Sequence, residues 1–269
     1  MSLLYAALLG VIQGLTEFLP VSSSAHLILA RAFFGWNSDE FGLAFDVACH
    51  VGTLAAVVIY FWRDVLQMMT ALPAAFSGRP AGPARLLWTL VAGTIPVAIF
   101  GVLLANTLEE RLRTPEVAAV SLAVVAFAFF AVERFGSKTR REASLGFGEA
   151  FVIGCAQAGA LVPGVSRSGS TIAASMACGL RRDEAARFTF LLGIPAILAA
   201  AAHEGVHVMR QGLAAGETRL LVVGAVTSAA VGYFTVKYFI RYLGRHSLGV
   251  FAWYRLALAA TVVVWWFVR

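Results

Sequence analysis

Pro20-Val21-Ser22-Ser23-Ser24-Ala25-His26 interrupts an apolar run, Leu3–Leu19, that resumes as Leu27–Phe34. Farther on, Pro163-Gly164-Val165-Ser166-Arg167-Ser168-Gly169-Ser170-Thr171 interrupts a second run, Phe147–Val162, which resumes as Ile172–Leu180. Each arm is shorter than the roughly 20 residues that a helix needs to cross a bilayer. Proline breaks a helix, and glycine and clustered hydroxyls weaken it. Both regions are therefore expected to fold as re-entrant hairpins rather than as paired crossings. Broken backbone survives at membrane depth only where protein or trapped water satisfies its polar groups.

The rest of the chain agrees with a membrane setting. Of 269 residues, 59% are hydrophobic and 13% charged, with mean hydropathy +0.79. A soluble domain carries about 25% charged residues. Too few polar residues remain to coat a soluble fold, and the same composition excludes a disordered chain. The net charge of +6 does not point to nucleic acid, because no basic run exceeds Lys138-Thr139-Arg140-Arg141. Positive-inside bias in short loops accounts for it. Cys49, Cys155 and Cys178 sit in apolar stretches without Cys-x-x-Cys spacing and read as small hydrophobes. The N-terminal apolar stretch lacks a basic leader and is expected to belong to the mature fold.

Six further segments are read as spans: about 42–62, 86–105, 115–132, 185–202, 220–240 and 247–268. A shift of 144 residues superposes the two breaks, matching Gly10 with Gly154, Gln13 with Gln157, Val21 with Val165, Ser22 with Ser166 and Ser24 with Ser168. Each hairpin precedes three spans. The expected architecture is an all-α integral membrane protein forming one polytopic domain over 1–269. It has about six transmembrane helices and two re-entrant hairpins, in an inverted-topology repeat of about 1–134 and 145–269. If the first hairpin enters from outside, 13 Lys and Arg residues face inward and 6 outward, with Arg167 and Arg255 in the apolar zone. Positive-inside bias selects that orientation.

Charges within a bilayer cost several kcal/mol unless paired, which makes Glu17, Arg167 and Arg255 functional candidates. Hairpin tips entering from opposite sides would meet near the midplane. Gly164 and Gly169 admit close backbone approach, the following helix start offers free N–H groups, and Ser166, Ser168, Ser170 and Thr171 add hydroxyls around the planar fork of Arg167. That combination suits an oxyanion such as phosphate. A Ser/Gly packing seam would explain the small residues but not a buried arginine. Glu17 is suited to hold a divalent metal, to act as base, or to counter Arg167 or Arg255. A serine of the Ser22-Ser23-Ser24 run can attack, and His26 can shuttle protons. Asp46 and His50, one helical turn apart, are read as hydrogen-bonding within the bundle in preference to lining the pocket mouth. Trp36, Trp62, Trp88, Trp253, Trp265 and Trp266 are read as interface anchors.

Gln13-Gly14-Leu15-Thr16-Glu17 with Pro20-Val21-Ser22-Ser23-Ser24-Ala25-His26 resembles the first motif of the undecaprenyl-diphosphate phosphatase family, the bacitracin resistance proteins. Pro163-Gly164-Val165-Ser166-Arg167-Ser168-Gly169-Ser170-Thr171 resembles the second, and the likeness extends over the chain in length and segment order. The resemblance implies a phosphatase of the bacterial inner membrane that removes one phosphate from a polyprenyl diphosphate, aided by Mg²⁺ or Ca²⁺, and returns the lipid to cell-wall synthesis. It implies that Glu17 binds metal, with Gln13 as a further ligand in place of the glutamate many members carry. Ser23 and His26 become nucleophile or proton-transfer pair. Ser22, Ser24, Gly164, Ser166, Arg167, Ser168, Gly169 and Thr171 become the diphosphate clamp, and Arg255 a second positive group. Expected partners are the polyprenyl diphosphate and the membrane, without nucleic acid, and a homodimer stays open.

Two other functions compete. His203-Glu204-Gly205-Val206-His207 fits H-E-x-x-H, the pattern of a zinc protease. Gly205 weakens that helix and no acidic third ligand stands in a later span. Inverted repeats also suit a transporter or lipid flippase, which needs no hydroxyl–histidine pair beside its anion site.

Overall fold

The computed structural model describes residues 3–34, 42–76, 80–112, 114–211 and 217–268. Its helices, in chain order, are α1 (Leu3–Thr16), α2 (Ser23–Phe34), α3 (Leu43–Tyr60), α4 (Trp62–Thr70), α5 (Leu72–Ala75), α6 (Gly82–Arg111), α7 (Pro115–Phe135), α8 (Phe147–Gly159), α9 (Arg167–Ala177), α10 (Arg182–Gln211), α11 (Glu217–Leu243) and α12 (Gly249–Val268). A 3₁₀ turn at Glu142–Ser144 precedes α8. Among the described residues there is no strand, only an isolated bridge between Arg140 and Leu180.

Four helices contain stretches long and apolar enough to cross a bilayer: Gly82–Leu104, Glu116–Phe135, Arg182–His203 and Thr218–Leu243. These coincide with four of the six expected spans. The expected span at 42–62 is α3, and it continues into α4 through a 74° bend; the bent pair would make a fifth span. The bend falls at Phe61, where the apolar run gives way to Trp62-Arg63-Asp64 and α4 becomes amphipathic. The expected span at 247–268 is α12, whose apolar part, Gly249–Trp265, is shorter than the other four. The two Pro/Ser-rich breaks separate α1 from α2 and α8 from α9, as the sequence indicates.

Inside a bilayer apolar surface gains little by meeting apolar surface, so helices associate through close packing of small residues. Gly10 and Gly14 of α1 lie against Gly224 and Ser228 of α11, and Gly52 of α3 lies against Ala225 of the same helix. Gly154 of α8 meets the backbone of Gly93 in α6. Thus α1 packs on α11 and α8 on α6, while α7 packs on α12. Phe18, Phe129, Phe188, Phe190 and Phe239 fill the interior, whereas Val102, Phe127, Val226 and Val264 point outward. An apolar exterior of this kind fits a lipid solvent. At one end, Arg182 pairs with Glu133, which also accepts from the N–H of Leu248; Arg140 pairs with Glu149; and Arg187 pairs with Asp64 and Glu142. These pairs join the ends of α4, α7, α8, α10 and α12.

Two glycines on α8 make opposite predictions. A methyl group at Gly154 would run into the Gly93 backbone, whereas one at Gly148 meets nothing within 4 Å. Gly154→Ala should destabilise the protein by about 1–3 kcal/mol, and Gly148→Ala should leave stability unchanged or raise it by up to about 1 kcal/mol. Thermal unfolding in detergent compares the two; equal effects would place the helix contact elsewhere.

Candidate active site

The two breaks share one local design. Pro20 and Pro163 cannot continue the helices that precede them, and the chain then turns through serines in the left-handed region, Ser22 at φ 75° and Ser166 at φ 72°. Such backbone is unfavourable for a non-glycine residue by about 1–3 kcal/mol. Side-chain bonds offset it. Ser166 Oγ caps α9 by accepting from the Gly169 N–H at 3.1 Å, and Ser22 Oγ accepts from the Ala25 N–H at 3.5 Å. The hydroxyl pairs Ser22–Ser24 and Ser166–Ser168 each lie 3.2 Å apart. Gly164, at φ 90°, faces the Ala118 backbone so closely that no side chain fits. Ser168 Oγ donates across to the Leu19 carbonyl at 3.2 Å, tying one break to the other.

Arg255 completes that tie. It is fully buried, and its three guanidinium nitrogens donate to backbone carbonyls of Leu122, Ser121, Pro20, Gly164 and Val165 at 2.8–3.4 Å. Its plane also lies 5.6 Å from the Phe129 ring centre. Arg255, expected as a second positive group for the substrate, has all three nitrogens engaged with these carbonyls. The residue satisfies the carbonyls that both breaks release, which water would otherwise have to reach. Thr171, expected to clamp the anion, is likewise buried, and its hydroxyl donates to the Arg167 carbonyl at 2.7 Å. Ser22, Ser166, Ser168, Gly164 and Gly169 are buried in the same framework. The residues left partly accessible are Ser23, Ser24, His26, Arg167 and Ser170.

At the centre, Arg167 Nη2 of one break donates to Glu17 Oε1 of the other at 2.9 Å. The second carboxylate oxygen, Oε2, accepts from Ser23 Oγ at 2.9 Å and from Gln13 Nε2 at 3.1 Å. His50 Nε2 lies 3.6 Å from the same oxygen while Nδ1 donates to the Asp46 carbonyl at 2.7 Å. His50 thus bonds the backbone of its own helix, α3, and borders Glu17. Glu17, Ser23 and Arg167 meet as expected across nearly 150 residues of chain. The pairing of Ser23 with His26 does not appear: Ser23 bonds Glu17. His26 Nδ1 instead donates to the Ser22 carbonyl at 2.7 Å, and its Nε2 meets the Tyr254 hydroxyl at 2.7 Å.

Two residues of the site, Tyr254 and Gly193, escape sequence reasoning, which gives the place of His50 beside Glu17 only as the less favoured of two readings. Tyr254 is hidden beside Arg255, from which it points about 100° away around α12. His50 carries no signal beyond its spacing from Asp46. Gly193 of α10 leaves the space that Arg167 Nη1 fills, so that any side chain there would overlap the guanidinium. Only the packing of α9 on α10 reveals it.

Two buried polar atoms beside Glu17 have no hydrogen-bond partner within the protein: Arg167 Nη1, a donor, and Gln13 Oε1, an acceptor. Gln13 Oε1 with the Glu17 carboxylate suits a hard divalent cation of the Mg²⁺ or Ca²⁺ kind, which takes one or two protein carboxylates and completes its shell with phosphate and water. Among the described residues no group of three or more His, Cys, Asp or Glu forms a metal cluster. The side chains of Glu204 and His207, needed for the zinc-protease pattern, lie outside the described residues, as do those of Trp36 and Trp266.

The space at Gly193 makes a specific prediction. Gly193→Ala should destabilise the protein by about 1–3 kcal/mol through overpacking against Arg167, yet by less than about 0.5 kcal/mol when Arg167 is already alanine. Unfolding temperatures of the four proteins measure the difference, and equal losses in both backgrounds would mean that the methyl group meets something else.

Known proteins resemble this chain over nearly its whole length. A family model described as bacitracin resistance protein BacA matches residues 6–261. A protein of Rubrobacter xylanophilus named undecaprenyl-diphosphatase is 48% identical over 265 residues, covering 97% of each chain. One of that name from Trichlorobacter lovleyi is 42% identical over 98% of this chain and 97% of its own, and another from Moorella thermoacetica is 41% identical over 100% of both. By a family match spanning most of its residues and by relatives of this identity from end to end, the chain belongs to the bacitracin resistance protein BacA family.

Proposed function

We infer that this protein hydrolyses undecaprenyl diphosphate to undecaprenyl phosphate and inorganic phosphate in the bacterial inner membrane, and so recycles the lipid carrier of cell-wall polymers. Bacitracin resistance follows from that activity. The names of its relatives support the substrate. The observation that carries the chemistry is the Glu17 carboxylate held between Arg167 and Ser23, each at 2.9 Å.

Each group has a role that its position suits. Arg167 clamps the diphosphate: its planar, partly accessible guanidinium matches phosphoryl oxygens, and it meets charge that builds up as the phosphoryl group transfers. Ser23 directs its hydroxyl proton at Glu17 Oε2, the arrangement of a nucleophile and its base. Glu17 takes that proton as the oxygen bonds to phosphorus and the bond to the lipid phosphate breaks; water then cleaves the phosphoserine, releasing inorganic phosphate and restoring the Ser23 hydroxyl. His26, whose imidazole sits at the start of α2, returns a proton to the leaving oxygen. A divalent cation held by Glu17 and the Gln13 carbonyl oxygen supplies, when bound, positive charge to the phosphoryl oxygens. A transporter requires no hydroxyl aimed at a buried carboxylate, which favours hydrolysis over transport.

The same reading includes six spans, two re-entrant hairpins and inverted repeats of about 1–134 and 145–269, with the site opening to the outer face. Support comes from the paired serines of positive φ, from Gly10 and Gly154 at matching helix contacts, and from the exchange of partners by which α1 packs on α11 and α8 on α6. The 13-to-6 split of basic residues supports the orientation.

Phosphate release from purified protein given undecaprenyl diphosphate, with and without a chelator, tests the activity. Glu17→Gln should abolish most cation-dependent turnover while the protein stays folded. Arg167→Lys keeps the charge but loses the fork, and should retain substrate binding while turnover falls ~10²–10³-fold. Wild-type turnover in either variant would remove that residue from the chemistry.

A further inference from the structure

Tyr254 stands outside every role assigned so far, yet it touches the reactive nitrogen of His26. The Ser22 carbonyl can only accept, so the Nδ1 of His26, 2.7 Å away, carries the hydrogen of that bond. In the neutral imidazole the lone pair is therefore on Nε2, and the Tyr254 hydroxyl, 2.7 Å from Nε2, donates to it. The tyrosine and imidazole rings lie side by side and nearly coplanar, with planes 7° apart and centroids separated by 5.7 Å, so the O–H meets the Nε2 lone pair in the ring plane. Both ring nitrogens are thereby fixed, one by the backbone of the first break and one by α12. Arg255, the next residue, anchors that stretch of α12 to both breaks through its bonds to the carbonyls of Pro20, Gly164 and Val165. Tyr254 itself is 45% exposed, so its hydroxyl stands between His26 and the surroundings of the site.

We propose that Tyr254 is the positioning residue of His26 and the group through which His26 exchanges its proton, an inference that rests on the hydrolytic role of His26 given above. When the imidazolium gives up its proton, Nε2–H passes to the tyrosine oxygen while the tyrosine O–H passes to the oxygen of the departing lipid phosphate. One proton moves outward, His26 becomes neutral, and Tyr254 ends as the phenol it began. Charge never rests on the tyrosine. The Nδ1–H bond to Ser22 holds the tautomer throughout, as a carboxylate or carbonyl behind a catalytic histidine does elsewhere.

Tyr254→Phe removes the hydroxyl and leaves the ring beside His26, so the variant should fold with an unchanged unfolding temperature. With undecaprenyl diphosphate as substrate, its kcat should fall about 10- to 100-fold, up to the lower end of the ~10²–10⁴-fold that acid–base catalysis contributes, and KM should change less than about twofold. In a His26→Ala background the same substitution should cause no further loss, because its effect acts through the imidazole. Wild-type kcat in Tyr254→Phe beside a slow His26→Ala would overturn the role of Tyr254 and leave that of His26 intact. An equal fold-loss in both backgrounds would also overturn it. Wild-type turnover in His26→Ala would remove His26 from the reaction, and the relay with it.

Discussion

A carboxylate and a guanidinium, each too costly to leave unpaired inside a membrane, meet at 2.9 Å between Glu17 and Arg167. They come from different breaks, 150 residues apart, so neither is stable in this position unless both breaks are folded against one another. The pair thus couples the packing of the two halves to the formation of the site. A buried pair is a poor source of stability, since desolvation consumes much of the attraction. Its value here is placement: Arg167 fixes one oxygen of Glu17 and leaves the other to Ser23 and Gln13.

The cost of burying two breaks inside an apolar bundle falls on the backbone. Helices that end inside an apolar zone release carbonyls and N–H groups that lipid cannot satisfy. Arg255 answers for the carbonyls by offering all three of its nitrogens to Pro20, Gly164, Val165, Ser121 and Leu122. Serine hydroxyls answer for the N–H groups, and Ser168 bridges to Leu19. Many of the hydroxyls and the second arginine that look like ligands in sequence are the scaffold that makes broken backbone tolerable. The proposed chemistry therefore falls to fewer groups: Glu17, Ser23, His26 and Arg167, with Tyr254 and His50 beside them.

Much of this was open to reading. Proline and serine clusters between short apolar arms marked both breaks, and a charged residue in an apolar stretch marked Glu17 and Arg167, because both signals are local and carry a large energetic penalty. Four long helices followed from unbroken hydrophobic runs. The 74° bend at Phe61 did not, since the polar residues after Trp62 mark only the end of an apolar run, and not that a second helix continues from it at an angle. Which hydroxyl bonds which base was also hidden. Ser23 lies three residues from His26 and six from Glu17, and proximity in sequence favoured the histidine; the left-handed turn at Ser22 reverses that choice. Tyr254 and Gly193 depend on how α12 and α10 are rotated against the breaks, a property of packing that no local pattern records.

The claim that the two breaks build one reactive centre is tested most directly by a double-mutant cycle on phosphate release from undecaprenyl diphosphate, pairing Glu17→Gln with Arg167→Ala. Residues that act as a unit lose their function together. A shared centre predicts that the double variant is no slower than the slower single one. Losses that multiply would show that Glu17 and Arg167 act independently, and would contradict a site assembled by their contact.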